Sequence, residues 1–232
     1  MISSNNSSNL PQKKKLILLD IDNTVFDSGA YRVTLFERIC EELGHNEKKE
    51  DFVRSCHELA DTMVRGTGMF DTEKFVDTIL EKFHVSVDKR ADIVAHLYKP
   101  EYTKLHVHAE VMDVLDRLSQ LGELGILSQG EDRFQRTKLV SFLRYLSSEH
   151  IHIHLDKRSQ MESIFERYLD YDVYYVDDML IMLAAAKKAD AKVRTIWIKR
   201  GRYAHAQPEL EGFLPDATVL DMSEAEEAIK NL

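Results

Sequence analysis

The chain has 232 residues, of which 44% are hydrophobic and 31% charged, and this balance is typical of a globular protein with a sizeable core. Its formal net charge of −9 argues against a nucleic-acid or membrane-surface partner, because both call for a basic face. No apolar run approaches the ~18 residues that cross a bilayer, and Cys40 and Cys56 lack redox or metal spacing, so we expect a reduced, cytoplasmic protein.

The first residues are rich in Ser and Asn and contain no apolar segment of the kind found in secretory signals. Such a composition cannot bury enough apolar surface to fold. We therefore predict a disordered tail over residues 1–14.

Continuous apolar runs predict buried parallel strands at 16–19, 124–127, 173–176 and 193–198. An alternating run, Ile151, Ile153 and Leu155, predicts an outer strand. Amphipathic helical stretches flank the last three of the apolar runs. This order predicts the α/β class, with a Rossmann-like, doubly wound parallel sheet.

A different pattern fills the region between the first strand and Leu105. Helical spacings such as Phe36, Cys40 and Leu43 recur there without a strand-like run. About 75 residues of helix are too long for a simple crossover. We predict a catalytic core over 15–28 and 105–232 and a helical cap domain over 29–104.

Two acids, Asp20 and Asp22, directly follow the first apolar strand. Ligands of open α/β sheets bind at the carboxyl ends of the strands, and residues i and i+2 of a strand share a face. Neighbouring carboxylates repel unless a cation or a shared proton relieves them, which favours one nucleophile and one acid/base. The alternative is a turn of helix-capping residues.

Polar residues also follow the later strands. Ser128 and Gln129 end the second strand, Lys157 follows the outer strand, and Asp177 and Asp178 follow the third apolar strand. A hydroxyl, backbone N–H groups and an ammonium can bind phosphoryl oxygens, and adjacent acids suit Mg²⁺. A simple turn, a solvated lysine and a helix N-cap are the alternatives.

These stretches occur in the order of the four motifs of the haloacid dehalogenase-like (HAD) superfamily. Asp20-Ile-Asp22-Asn-Thr24 matches its DxDxT motif, Ser128 and Lys157 match the second and third motifs, and Asp177-Asp178 matches an acidic form of the fourth. From about Lys15 onward the chain resembles HAD-like hydrolases, and the helical region resembles their C1-type cap.

The resemblance implies a role for each motif residue. Asp20 would form an aspartyl-phosphate, and Asp22 would protonate the leaving oxygen and then activate water. The implied phosphate-binding residues are Thr24, Ser128, Gln129 and Lys157. The implied Mg²⁺ ligands are Asp20, Asp22 through its backbone carbonyl, and Asp178, with Asp177 either assisting as a ligand or acting from behind them.

The chain departs from the family pattern at Gln129, where Asn is common, and at Met182, where a further acid is common. Gln135 is interpreted as part of a polar helix face. His150, His152 and His154 alternate along the outer strand and are interpreted as a solvated face.

We expect a Mg²⁺-dependent phosphatase, a monomer or homodimer, acting on a small phosphorylated metabolite such as a sugar phosphate, nucleotide or phosphoglycolate. A phosphomutase and a 2-haloacid dehalogenase are alternatives from the same superfamily, although Asp22 has no role in the latter. A phospho-receiver module and a non-catalytic binding protein are alternatives from other classes.

Overall fold

The computed structural model describes residues 13–45, 48–67, 69–201 and 206–232. Residues 1–12 of the predicted tail lie outside the described residues. The predicted boundary at residue 14 is wrong, because Lys14 is already the first residue of a strand whose backbone pairs with its neighbours.

The core of the protein is a six-stranded parallel sheet in the order β3-β2-β1-β4-β5-β6. Its strands are β1 (Lys14–Leu19), β2 (Glu123–Gln129), β3 (Ile151–His154), β4 (Tyr171–Asp177), β5 (Arg194–Ile198) and β6 (Ala217–Val219). The predicted α/β class and doubly wound sheet are confirmed. Strand β6 was not predicted, because its three residues are too short for a readable pattern.

The described residues form ten α-helices, which connect and cover the strands. Five lie between β1 and β2: α1 (Ser28–Glu42), α2 (Lys49–Thr67), α3 (Thr72–Lys82), α4 (Arg90–Leu97) and α5 (Pro100–Lys104). The others are α6 (Val111–Leu118), α7 (Asp132–Leu139), α8 (Lys157–Phe165), α9 (Leu180–Ala189) and α10 (Met222–Asn231).

Both faces of the sheet are buried, which explains the continuous apolar strands. Leu16 and Leu18 of β1 belong to one hydrophobic cluster, whereas Ile17 and Leu19 belong to another on the opposite face. Leu19 is aligned with Ile126 of β2 and with Val176 of β4. The carboxyl ends of these three strands therefore lie side by side.

The first of the five helices between β1 and β2 packs near the carboxyl end of the sheet. Helix α1 begins after Asp27, whose side chain accepts a hydrogen bond of 2.9 Å from the backbone N–H of Ala30. Its buried Leu35 and Phe36 share a cluster with Leu19 of β1. Because this cluster runs from the helices into the sheet, the packing does not separate the predicted cap from the predicted core, and that division stays a prediction.

Within the described ranges, no helix combines the length and the apolar character needed to cross a membrane.

Candidate active site

A tight turn after β1 brings two acids to the carboxyl edge of the sheet. The backbone N–H of Asp20 donates to the carbonyl of Val176 at 2.9 Å, and the N–H of Phe26 donates back to the carbonyl of Ile21 at 3.0 Å. Asn23 has a φ of 59°, a left-handed conformation that asparagine tolerates better than most residues. The turn places both Asp20 and Asp22 on the lining of one cavity.

Lys157 joins two of the predicted site acids in a buried ion-pair network. Its Nζ lies 2.6 Å from Oδ1 of Asp20 and 2.6 Å from Oδ2 of Asp177. Lys157 follows β3, as predicted, and is the first residue of α8, which Asp156 caps by accepting a hydrogen bond from the N–H of Ser159. The contact between Lys157 and Asp20 agrees with the predicted site.

Burial governs the protonation of this network. It raises the pKa of Asp20 to about 7, even though Lys157 acts in the opposite direction. Burial would also lower the pKa of Lys157, but Asp177 and Asp20 outweigh it and hold that pKa well above its ordinary value. Lys157 therefore stays an ammonium beside Asp20.

The adjacent acids after β4 have different environments. Asp177 is fully buried and accepts hydrogen bonds from the hydroxyl of Tyr175 and from the N–H of Met179, the latter at 2.7 Å. Asp178 instead lines the cavity, where Nδ2 of Asn23 donates to its Oδ2 at 3.1 Å. Because Asp178 lines the cavity and the Asp177 carboxylate is bonded within the protein, Asp178 is the better placed of the two to bind a metal ion directly.

The charge on Asp178 is poorly compensated. Burial raises its pKa well above the ordinary value, and the nearby Asp177 and Asp20 raise it further. A cation beside Asp178 would reverse this shift by stabilising the carboxylate.

Asp22 is held by three side chains. Nζ of Lys138 lies 2.6 Å and 2.9 Å from its two carboxyl oxygens, Nε2 of Gln135 lies 2.8 Å from Oδ2, and the hydroxyl of Ser28 donates to Oδ1. Burial would raise the pKa of Asp22, but the ammonium of Lys138 outweighs it and lowers that pKa to about 2. The predicted acid/base residue is a paired carboxylate in this structure.

Gln135 links the predicted second motif to Asp22. Its Nε2 also lies 3.2 Å from Oγ of Ser128 and 2.7 Å from the carbonyl oxygen of Gln129. The Gln135 residue is only 2% exposed, so the interpretation as a polar helix face is wrong. A Cβ on Gly130, whose φ is 145°, would come within 3.0 Å of this side chain.

The four predicted phosphate-binding residues differ in whether they line the cavity. Gln129 and Lys157 line the cavity, whereas Ser128 and Thr24 are fully buried and are not among its lining residues. Oγ1 of Thr24 makes no hydrogen bond to any described residue. Ser128 and Thr24 thus support the site from beneath and do not face the cavity in this structure.

Sequence reasoning missed Lys138, Asn23 and Ser28. Lys138 is buried in α7, three residues beyond Gln135, and this spacing puts both side chains on one helix face. That shared spacing was the available signal, but a polar pair on a helix is more often solvated. Only the tertiary fold shows that this face meets Asp22.

The cavity above these residues has a volume of about 510 Å³, within the usual range for small-molecule sites. The strand ends supply its acidic floor. The chain between β1 and β2, together with α7, supplies an apolar part of the lining, the wall, which includes Tyr31, Leu35, Phe36, Val64, Phe70 and Phe134.

The acids at the floor suit a hard divalent cation. Within the described ranges, no three His, Cys, Asp or Glu side chains already converge as a metal site. However, the carboxylates of Asp20, Asp177 and Asp178 are accompanied by one buried ammonium, that of Lys157. Mg²⁺ commonly binds to one or two carboxylates and completes its shell with water and substrate oxygens. Asp20 and Asp178 match that donor set.

Comparison of the sequence with protein-family models finds no match, and comparison with curated proteins finds no significant match. Solved structures do match. A Burkholderia xenovorans protein assigned to the haloacid dehalogenase-like hydrolases superposes with a TM-score of 0.75 at 22% identity, covering 93% of this chain and 96% of that one.

Two further solved structures are similar in shape and more distant in sequence. Magnesium-bound YfnB from Bacillus subtilis, assigned to the HAD hydrolases, gives a TM-score of 0.62 at 15% identity, covering 95% of this chain and 100% of that one. The L-2-haloacid dehalogenase from Xanthobacter autotrophicus gives a TM-score of 0.60 at 11% identity, covering 94% of this chain and 99% of that one. The chain therefore has the HAD-like fold, as predicted.

Proposed function

We propose that this protein is a HAD-like hydrolase that cleaves small phosphomonoesters with Mg²⁺, using Asp20 as the nucleophile. The supporting observation is the excess of buried acid at the floor of the cavity. Lys157 can balance only one of the three carboxylates of Asp20, Asp177 and Asp178. A reaction that uses a divalent cation accounts for this excess.

Asp20, Asp178 and the backbone carbonyl of Asp22 are the proposed ligands, and the bound Mg²⁺ would neutralise crowded carboxylates and polarise the phosphoryl group. Lys157 fixes the carboxylate of Asp20 from one side at 2.6 Å. Its ammonium also supplies positive charge where the phosphoryl oxygens gain negative charge in the transition state.

In the first step, a carboxyl oxygen of Asp20 attacks phosphorus and forms an acyl-phosphate while the bond to the leaving oxygen breaks. The leaving oxygen takes a proton from the Asp22–Lys138 pair, which carries one removable proton on the ammonium. In the second step, the pair accepts a proton from the water that attacks phosphorus. This step releases phosphate and restores the Asp20 carboxylate.

A second candidate is a 2-haloacid dehalogenase, the activity named for the Xanthobacter autotrophicus neighbour. The observation in its favour is that Lys157 positions Asp20 without a metal. In that reaction the leaving halide needs no proton, so the buried pair of Asp22 and Lys138 would have no role. A phosphatase would use both the contact of Lys157 with Asp20 and the Asp22–Lys138 pair, so it is the primary proposal.

The test is turnover of a panel of phosphomonoesters with Mg²⁺, alongside release of halide from 2-haloacids with and without the metal. We expect phosphate release that EDTA abolishes and that Asp20→Asn lowers by about 10³-fold or more. Asp51→Asn, on the exposed surface of α2, is the matched control and should retain full activity.

Full activity of Asp20→Asn would overturn the proposal. Metal-independent halide release without any phosphate release would establish the second candidate instead. Product analysis also separates hydrolysis from a phosphomutase, because only hydrolysis transfers the phosphoryl group to water.

A further inference from the structure

The side chains that line the cavity fall into two chemically different sets. The floor consists of Asp20, Asp22 and Asp178, which follow strands, and of Lys157 at the start of α8. The wall consists of aliphatic and aromatic side chains, among them Leu35, Phe36, Val64, Phe70 and Phe134. A substrate whose phosphate reaches the floor therefore has its leaving group in a cavity lined by these apolar side chains.

Two charged side chains of the cavity lining, Arg32 and Glu131, already have partners in the protein. NH1 of Arg32 binds Oδ1 of Asp61 at 2.9 Å. Glu131 accepts a hydrogen bond of 2.9 Å from the hydroxyl of Tyr98 and another from the hydroxyl of Thr72.

Tyr31 presents its ring and not its hydroxyl, since that hydroxyl donates away to the carbonyl of Leu97 at 3.3 Å. The ring of His57 packs edge-on against Phe36, with centroids 4.9 Å apart. These groups contribute mainly ring surface and neutralised charge to the wall.

Aromatic rings also meet one another on this side. The ring centroid of Phe134 lies 5.5 Å from that of Phe70 and 6.2 Å from that of Tyr31. These separations are typical of favourable aromatic contacts, so an additional ring or alkyl chain fits the same environment. A polyhydroxylated group would lose hydrogen bonds to water and find few replacements.

We infer that the leaving group is an apolar alcohol, and that the substrates are small arylalkyl or alkyl phosphomonoesters. This inference rests on the proposed function and narrows its substrate class. It also replaces the sugar phosphates and nucleotides suggested by the sequence, whose several hydroxyls or polar base edges match this wall poorly.

The test compares benzyl phosphate with glycerol 3-phosphate, both esters of primary alcohols, at saturating Mg²⁺. We expect kcat/KM to be at least about tenfold higher for benzyl phosphate. Phe70→Ala should reduce the ratio of the two kcat/KM values by about tenfold. The same variant should lower kcat/KM less for glycerol 3-phosphate than for benzyl phosphate, and circular dichroism should show that it is folded.

Phe83→Ala is the matched control, because Phe83 lies in the same helical region but packs on Phe52 and does not line the cavity. It should keep the preference for benzyl phosphate. Equal or higher kcat/KM with glycerol 3-phosphate, or a Phe70→Ala variant with unchanged preference, would overturn the inference.

A binding measurement separates this inference from the proposed function. Calorimetry measures the affinity for benzylphosphonate and for 2,3-dihydroxypropylphosphonate, which bind without turnover. We expect the benzyl compound to bind at least about tenfold more tightly. Equal or weaker binding overturns the inference. Absence of phosphate release from every ester, together with selective benzyl binding, overturns the proposed function alone.

Discussion

Lys138 forms a bidentate contact with Asp22: its Nζ lies 2.6 Å from Oδ1 and 2.9 Å from Oδ2. The same Nζ lies 4.8 Å from the ring centroid of Phe134, and Lys138 is only 4% exposed, so little water surrounds the ammonium. This pair connects α7 to the turn after β1. The orientation of the proposed proton donor thus depends on a helix that the HAD motifs do not include.

We predict that Lys138→Met lowers both stability and kcat. Breaking a fully buried ion pair costs about 3–5 kcal/mol. The side chain of Asp22 is 32% exposed, so water recovers part of this loss. We therefore expect a loss of about 2 kcal/mol in the free energy of unfolding, measured by urea denaturation.

Lys188→Met is the control for this change, because Lys188 is exposed on α9. It should alter the unfolding free energy by no more than about 0.5 kcal/mol. If Lys138→Met were as stable and as active as this control, the Asp22–Lys138 pair would have neither role.

The adjacent acids Asp177 and Asp178 should differ in their effect on metal binding. Asp178→Asn removes a carboxylate that lines the cavity, so the Mg²⁺ concentration for half-maximal activity should rise by at least about tenfold. Asp177→Asn removes one of the two carboxylate partners of Lys157 and should lower kcat and stability. A Mg²⁺ titration of both variants checks this assignment, and the reverse pattern would show that Asp177 is the ligand.

Gly201 is predicted to be required for the position of Asn23. A Cβ at residue 201 would lie 2.6 Å from Cγ of Asn23, whose Nδ2 binds Asp178. Gly201→Ala should therefore weaken Mg²⁺ activation in addition to straining a backbone with a φ of 66°.

Gly212→Ala separates these two effects. Gly212 has a similar φ of 75°, but a Cβ there would meet no atom within 4 Å. This variant should lose only about 1 kcal/mol of stability from backbone strain and keep its Mg²⁺ dependence. Equal Mg²⁺ dependence in both variants would show that Gly201 does not act through Asn23.

His152 should make the protein less stable in mild acid. It is 5% exposed, and burial, with Arg167 adding to it, lowers its pKa to about 4. The unfolded chain, with an ordinary histidine pKa of about 6.5, binds more protons between these two pKa values. The contribution of neutral His152 to the free energy of unfolding is therefore complete above pH 6.5 and is lost as the pH drops towards 4. The loss is about 2 kcal/mol at pH 5.

His152→Gln should flatten this dependence in urea denaturation at pH 5 and pH 7. His84→Asn is the control: His84 is exposed with a φ of 53°, a conformation that asparagine also tolerates. It should leave the pH dependence unchanged. The same change in unfolding free energy between pH 5 and pH 7 for the wild type and His152→Gln would disprove the role of this residue.

The sheet and the order of its motif residues were predictable because β1, β2 and β4 are apolar on both faces and end in polar residues. The burial of His150 and His152 was not, and the interpretation of a solvated face is wrong for both. The hydroxyl of Tyr168 lies 3.1 Å and 2.6 Å from their ring nitrogens. Alternation along β3 gives no sign of a partner sixteen or more residues later.

Side-chain direction within the site was also unreadable from the sequence. Asp177 and Asp178 are equivalent acids in a motif, yet Asp177 bonds Lys157 and is fully buried, whereas Asp178 lines the cavity. Adjacent residues at a strand end point to opposite sides, and only the packing decides which side holds the site. The same holds for Gln135 and Lys138, which a helical pattern alone assigns to solvent.

The most direct test of the proposed chemistry is a single turnover in water enriched in ¹⁸O, followed by mass spectrometry of the product and of the peptide that contains Asp20. If Asp20 forms a phosphoryl intermediate, water attacks phosphorus, so the label enters phosphate and Asp20 stays unlabelled. Label in the Asp20 carboxylate would instead show that water attacks the carbonyl carbon of an ester. That result would contradict phosphoryl transfer at this site.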